Sequence, residues 1–156
     1  MAMASREMLV RHHLVPVQGE DDPLIRLAAS YREGRRAVIF GPDVGVVCGL
    51  MRVGYLHVLE LRRGEAAPQG QADLVIVGGK LVDQDAGIED FIAVITRARR
   101  ALTAGGHVIL SLPVRRVPGV TVAILSALRQ AGFRALKPLF EPGRILVAGE
   151  LGLQVA

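Results

Sequence analysis

The chain is 156 residues long, 51% hydrophobic and 22% charged, with a formal net charge of +4. That length and apolar content describe one domain with a sizeable core and exclude a disordered chain. The sequence has no run of about 18 uninterrupted apolar residues, which excludes a membrane-spanning helix, and its single cysteine excludes an internal disulfide framework or a cysteine-rich metal site.

Residues 1–20 are irregular and read as an N-terminal arm or edge strand, because Pro16 disfavours a central strand. The stretch Met1 to Glu7 lacks the apolar core of a secretory signal, so a cytoplasmic protein is expected. Residues 21–156 read as a single α/β domain. Asp21-Asp22-Pro23 marks a helix start, with acidic groups near the positive end of the dipole and proline in the first turn. Leu24, Leu27, Ala28 and Tyr31 share one face, and Gly34 closes the helix. Ala37 to Phe40 is the first strand, Gly41 to Gly45 a tight turn, and Val46 to Val53 a short helix. Tyr55 to Leu61 and Ala72 to Val77 are the next strands, separated by a polar loop over 62–71. Ile88, Phe91, Ile92, Ile95, Ala98 and Leu102 carry the 3,4 spacing of a buried helical stripe. A turn over Thr103 to Gly106 leads into a strand over His107 to Leu112. A helix burying Val120, Ala123, Ile124, Ala127, Leu128 and Ala131 follows. Phe133 to Phe140 and Arg144 to Gly149 are the last strands. The link Glu141-Pro142-Gly143 is too short for a crossover helix, so these two form an antiparallel hairpin.

A helix that stops on glycine and runs into an apolar strand recurs four times, at Gly34, Gly54, Gly106 and Gly132. Glycine adopts the left-handed conformation that ends helices, so the recurrence is the αβ half of a parallel sheet covered on both faces. The expected architecture is a three-layer Rossmann-like sheet, mostly parallel, with an antiparallel C-terminal hairpin strand.

This order resembles the class I S-adenosylmethionine-dependent methyltransferase fold. Ala72 to Val77 looks like that family's fourth strand, and Phe91 to Ser111 resembles its helix, glycine pair and strand phrase. Leu128-Arg-Gln-Ala-Gly-Phe133 resembles its entry to strand six. The likeness is good over about 72–150 and weaker over 35–62. The family's acidic position before the first turn is Ile39 here, and its middle glycine is Asp43, between the retained outer glycines Gly41 and Gly45. The interval from Arg62 to Gln71 is too short for the strand-helix unit that a complete member places there, which implies a shortened sheet with an open cofactor edge.

The resemblance implies S-adenosylmethionine as cofactor, with Gly41, Asp43, Gly45, Glu60 and Gly78 at its site. Glu60 lies about 20 residues past the glycine turn, where Rossmann-type folds set a carboxylate against ribose hydroxyls. The loop after the third strand holds Asp83 and Asp85, weak candidates for an acceptor-site acid or base. Arg62, Arg63, Arg115 and Arg116 follow strands that share one sheet edge, an anion-attracting rim suited to an acidic small molecule or protein partner. Sparse aromatics argue against single-stranded nucleic-acid binding. His12, His13, His57 and His107 make no metal spacing, and no metal is expected. Cys48 reads as a core residue, and Ser111 follows no nucleophile-elbow pattern. Two functions stay open: a methyltransferase-like protein, degenerate in its glycine motif, acting on or binding a small or anionic molecule, and a non-catalytic interaction module on the same fold. An exposed edge in a shortened sheet predicts a homodimer.

Overall fold

The computed structural model describes residues 22–31, 36–41, 43–62, 65–78, 88–113 and 120–152. Helix α1 spans Pro23–Ser30 and is capped by Asp22, whose carboxylate accepts from the Leu24 N–H at 3.0 Å. Strand β1 (Arg36–Phe40) leads to α2 (Val44–Arg52) and β2 (His57–Leu61). Strand β3 (Ala72–Val77), helix α3 (Ile88–Ala101) and strand β4 (Leu102–Pro113) follow. Helix α4 (Val120–Gln130) precedes the hairpin of β5 (Phe133–Glu141) and β6 (Arg144–Leu151).

The sheet order is β2-β1-β3-β4-β6-β5. The first four are mutually parallel, and β6 runs antiparallel to both β4 and β5. The expected shortened, hairpin-ended sheet is therefore the observed one. Among the described residues, no strand lies outside β2.

Alternation along the strands splits the core in two, because successive side chains point to opposite faces. Val38, Phe40, Val75, Val77, Val108 and Leu110 pack with Phe91, Ile95 and Ala98 of α3 and with Ile124 and Leu128 of α4. Ala37, Ile39, Leu74, Ile76 and Ile109 pack on the other face with Leu24, Ile25 and Ala28 of α1 and with Leu50 of α2. Each fully buried Leu, Ile or Phe contributes about 1.5–3 kcal/mol from removal from water, so the two layers together supply the main stabilisation. Helix α2 packs closely on α1 because residue 49 is glycine: a Cβ there would stand 2.7 Å from Ile25 Cδ1.

Several local expectations change. Helix α3 ends at Ala101 and β4 begins at once, so Thr103 to Gly106 is strand and not a free turn. An irregularity in pairing between Ala72 and Leu74 absorbs the extra residues, with Gly105 at φ 80°. Ile92 stands one position off the inward stripe of Phe91, Ile95 and Ala98 and is 48% exposed. Cys48 is exposed and not in the core, since α2 turns Gly49 and Leu50 inward instead. Gly34 lies outside the described residues, as does the N-terminal arm.

The segment between β2 and β3 is fastened to the end of α3. The Gly70 N–H donates to Arg100 O at 2.8 Å and the Gln71 N–H to Ala101 O at 3.0 Å, satisfying carbonyls that a helix end leaves without partners. Arg97 of α3 donates to the Glu65 carbonyl, and its guanidinium carbon lies 5.1 Å from the Phe40 ring centroid. A loop and one arginine thus cover the end of β1 where a longer crossover would otherwise lie.

Candidate functional site at the carboxyl edge

Ligands of open α/β sheets bind outside the carboxyl ends of the strands. Here those ends are tied together by backbone. Gly41 follows β1 with φ 99° and is buried, a conformation that side chains rarely tolerate. Its N–H donates to Leu61 O of β2 at 3.1 Å. Gly78 follows β3, and its N–H donates to Phe40 O of β1 at 3.2 Å. A Cβ on Gly78 would meet Phe40 O at 3.7 Å, an ordinary contact, so the protein's own packing does not demand glycine there. Glu60, half-buried, pairs in register with Ile39 one residue before the ends of both strands. Gly41, Glu60 and Gly78 therefore lie together at the strand ends.

Asp43 takes a definite role. It is the N-cap of α2, in extended conformation, and its Oδ1 accepts from the Gly45 N–H at 3.0 Å and the Val46 N–H at 3.3 Å. A Cβ on Gly45 would lie 3.3 Å from that oxygen, so the small residue leaves the cap its room. Helix N-termini attract anions through these free amides and the dipole. Here a carboxylate of the chain already holds two of them. A ligand anion at this spot would meet a negative charge, whereas a ligand cation would meet a favourable one.

The remaining candidates divide. Arg62 sits just after β2, exposed, and its own N–H donates to Glu65 Oε2 at 3.2 Å. Arg63, Arg115, Arg116, Asp83 and Asp85 lie outside the described residues. His57 is exposed on the outermost strand. Among the described residues no three His, Cys, Asp or Glu gather as a metal site. No helix among them is long and apolar enough to cross a membrane.

Two polar groupings were not legible beforehand. On the carboxyl edge, Arg144 donates to Glu141 Oε2 at 2.6 Å and to the α1 cap Asp22. Burial alone would lower its pKa, but the two carboxylates outweigh that and raise it. At the opposite, amino edge, Tyr31 stacks on His107 with ring centroids 3.7 Å apart and an interplanar angle of 14°. Burial lowers the His107 pKa, against the opposing pull of Glu150 on the neighbouring strand. The Tyr55 hydroxyl donates to Ala28 O at 2.9 Å, and burial, then Tyr31 and Asp73, push its pKa up to about 12. The partners in these groupings are up to 122 residues apart. Neither motif spacing nor helical period could pair them. A groove of about 590 Å³ lies at the amino ends of β1 and β2, beside Arg36, His57, Leu56 and Leu59.

No protein-family model matches the chain. No curated protein matches it either. Solved structures do match. A T. thermophilus 16S rRNA N2 G1207 methyltransferase in complex with AdoMet and guanosine aligns over 88% of this chain and 41% of its own, at 21% identity and a TM-score of 0.59. An O-methyltransferase family protein from Burkholderia thailandensis aligns over 83% of this chain and 55% of its own, at 15% identity and a TM-score of 0.64. An S-adenosylmethionine-dependent methyltransferase from Mesorhizobium loti aligns over 82% and 96%, at 16% identity and 0.59. The chain thus spans about half the length of the first two structures it matches. The fold is that of class I S-adenosylmethionine-dependent methyltransferases, in a divergent sequence.

Proposed function

We propose that this protein is a methyltransferase-like protein that binds S-adenosylmethionine at the carboxyl edge of β1, β2 and β3 and presents it to a small or anionic molecule. The observation that carries the reading is that Gly41 and Gly78 are tied to the neighbouring strand ends by hydrogen bonds to Leu61 O and Phe40 O, with Glu60 in register one residue before the end of β2. In this reading the Glu60 carboxylate accepts from the ribose hydroxyls, and Gly41 and Gly78 let the ligand approach the backbone closely. Asp43 contributes a negative charge that favours the cationic cofactor over its uncharged-sulfur product. The chemistry the cofactor supplies is its sulfonium methyl group, and the chain's part is to position it. The neighbours that carry AdoMet, SAM or SAH support this reading through the shared fold.

A second reading is a non-catalytic interaction module on the same sheet. Asp43 favours it, because its carboxylate holds amides that a bound anion would use, and so does the outermost position of β2. Calorimetric titration with S-adenosylmethionine and with S-adenosylhomocysteine separates the two. Binding in the micromolar range, weakened about tenfold or more in Glu60→Ala through loss of a charge-assisted hydrogen bond, is expected for the first. Absence of heat with millimolar ligand gives the second.

A further inference from the structure

The two outer strands of a sheet expose backbone N–H and C=O groups, and natural sheets guard them with charge, proline or bulges. Strand β5 has all three: Arg134, Lys137, Pro138 and an irregularity in its pairing between Arg134 and Lys137. Strand β2 has none. Its sequence His57-Val-Leu-Glu-Leu61 holds no lysine, arginine or proline and pairs without a register shift. Leu59 is 42% exposed, Leu56 just before the strand 62%, and Met51 of the adjoining α2 58%. These three side chains also line the groove of about 590 Å³ at the amino ends of β1 and β2.

We propose that β2 is a homodimer edge: two copies pair antiparallel over Leu56 to Glu60 about a two-fold axis at Val58, setting the partner's Leu56 beside Glu60.

The register follows from symmetry and charge. A two-fold axis perpendicular to a continuous sheet keeps each face on its own side, so it must fall on a residue and not between two. An axis at Glu60 would set the two glutamates directly opposite. An axis at Leu59 would set them diagonally, within reach of each other on one face. Like charges so placed oppose pairing. With the axis at Val58, Glu60 stands opposite the partner's Leu56 and His57 opposite the partner's Leu59. Every position of the segment is then paired and no like charges meet. A second copy is the occupant because this strand complements itself in that register, covering exposed Leu56 and Leu59 of both copies at once. Each copy also supplies a neighbour to the strand that bears Glu60, where the described sheet has none. The relevance to Glu60 rests on the cofactor reading, whereas the pairing rests on the edge alone.

Directly opposed residues of an antiparallel pair have Cα atoms about 4.5–5.5 Å apart, inside the range a disulfide spans. Diagonal neighbours lie at about 7–8 Å. In a Cys48→Ser background, Val58→Cys is therefore expected to cross-link to its own copy under mild oxidation, and Leu59→Cys is not. In sedimentation the wild-type chain is expected as a dimer at micromolar concentration. Leu59→Lys and, independently, Leu56→Lys are expected as folded monomers by circular dichroism. A wild-type monomer across the micromolar range overturns the proposal. So does cross-linking at Leu59→Cys in place of Val58→Cys, or a dimer that survives both lysine variants. None of these readouts depends on cofactor binding.

Discussion

The two margins of the sheet solve the same problem in opposite ways. At β5 the backbone is guarded by Arg134, Lys137, Pro138 and a pairing irregularity that leaves Ala135 at φ 53°. At β2 the strand is short and regular, without lysine, arginine or proline. The difference shows where the fold is complete by itself. The β4-β6-β5 side is closed by a hairpin and two helices, whereas the β2 side ends where a longer crossover would continue. A margin under pressure to stay single carries lysine, arginine, proline or a bulge, and β2, with Glu60 as its one charge, carries none of these guards.

The largest expected effect lies beneath the open side. Phe40 is fully buried, under Arg97 and the loop over 65–71. Phe40→Ala is expected to cost about 3–5 kcal/mol in denaturant unfolding. A loss well under 1 kcal/mol would mean that the loop collapses freely and that this side is not a packed layer. Gly49→Val tests the helix layer of the same half. Its side chain would meet Ile25, and overpacking of this kind costs about 1–3 kcal/mol, read as a lowered Tm.

The pH dependence follows from the amino edge that both halves share. Tyr55 is held protonated in the folded chain up to about 12, against an ordinary value near 10. Its contribution is fully present below pH 10 and is lost as pH rises from 10 through 12. Melting temperature is expected to fall across that window in the wild type and to fall less in Tyr55→Phe. His107 shifts the other way, being held neutral by burial. Its contribution is present above about pH 6.5 and is lost as pH falls below that value. Acid destabilisation that does not soften on replacing His107 would contradict the burial that holds it neutral.

The smallest effect is expected on the guarded margin. Arg134 and Glu150 form an exposed pair at 3.4 Å. Arg134→Gln should change stability by no more than about 1 kcal/mol. Adding Lys137→Val and Pro138→Thr to it strips the guard, and self-association measured by light scattering is expected to rise. Unchanged behaviour would remove the protective role assigned to those residues.

Periodic signals carried most of the fold. The apolar run at Ala72 to Val77 and the stripe of Phe91, Ile95 and Ala98 became β3 and α3 because burial on both faces leaves little else for such residues to do. The short Glu141-Pro142-Gly143 link gave the hairpin. Boundaries read from glycines were less secure. Gly106 sits inside β4 because α3 closes onto Leu102 directly, with its last carbonyls taken by Gly70 and Gln71. Of the candidate site, the placement of Gly41, Glu60 and Gly78 at neighbouring strand ends was readable, since strand ends bring them together whatever the loops do. The capping role of Asp43 depends on the extended conformation of one residue, and the pairing of Arg144 with Asp22 depends on contacts 122 residues apart. Neither has a local signature.

The reading as a whole rests on the ligand meeting the carboxyl ends of the strands and not the groove at their amino ends. An amide-resolved NMR titration of isotope-labelled protein with S-adenosylmethionine tests this most directly. Shift changes concentrated at Gly41, Leu61 and Gly78, and needing about tenfold more ligand in Glu60→Ala, are the expected result. Changes confined to Arg36, His57 and Gln71, or a spectrum that millimolar ligand leaves untouched, would contradict it.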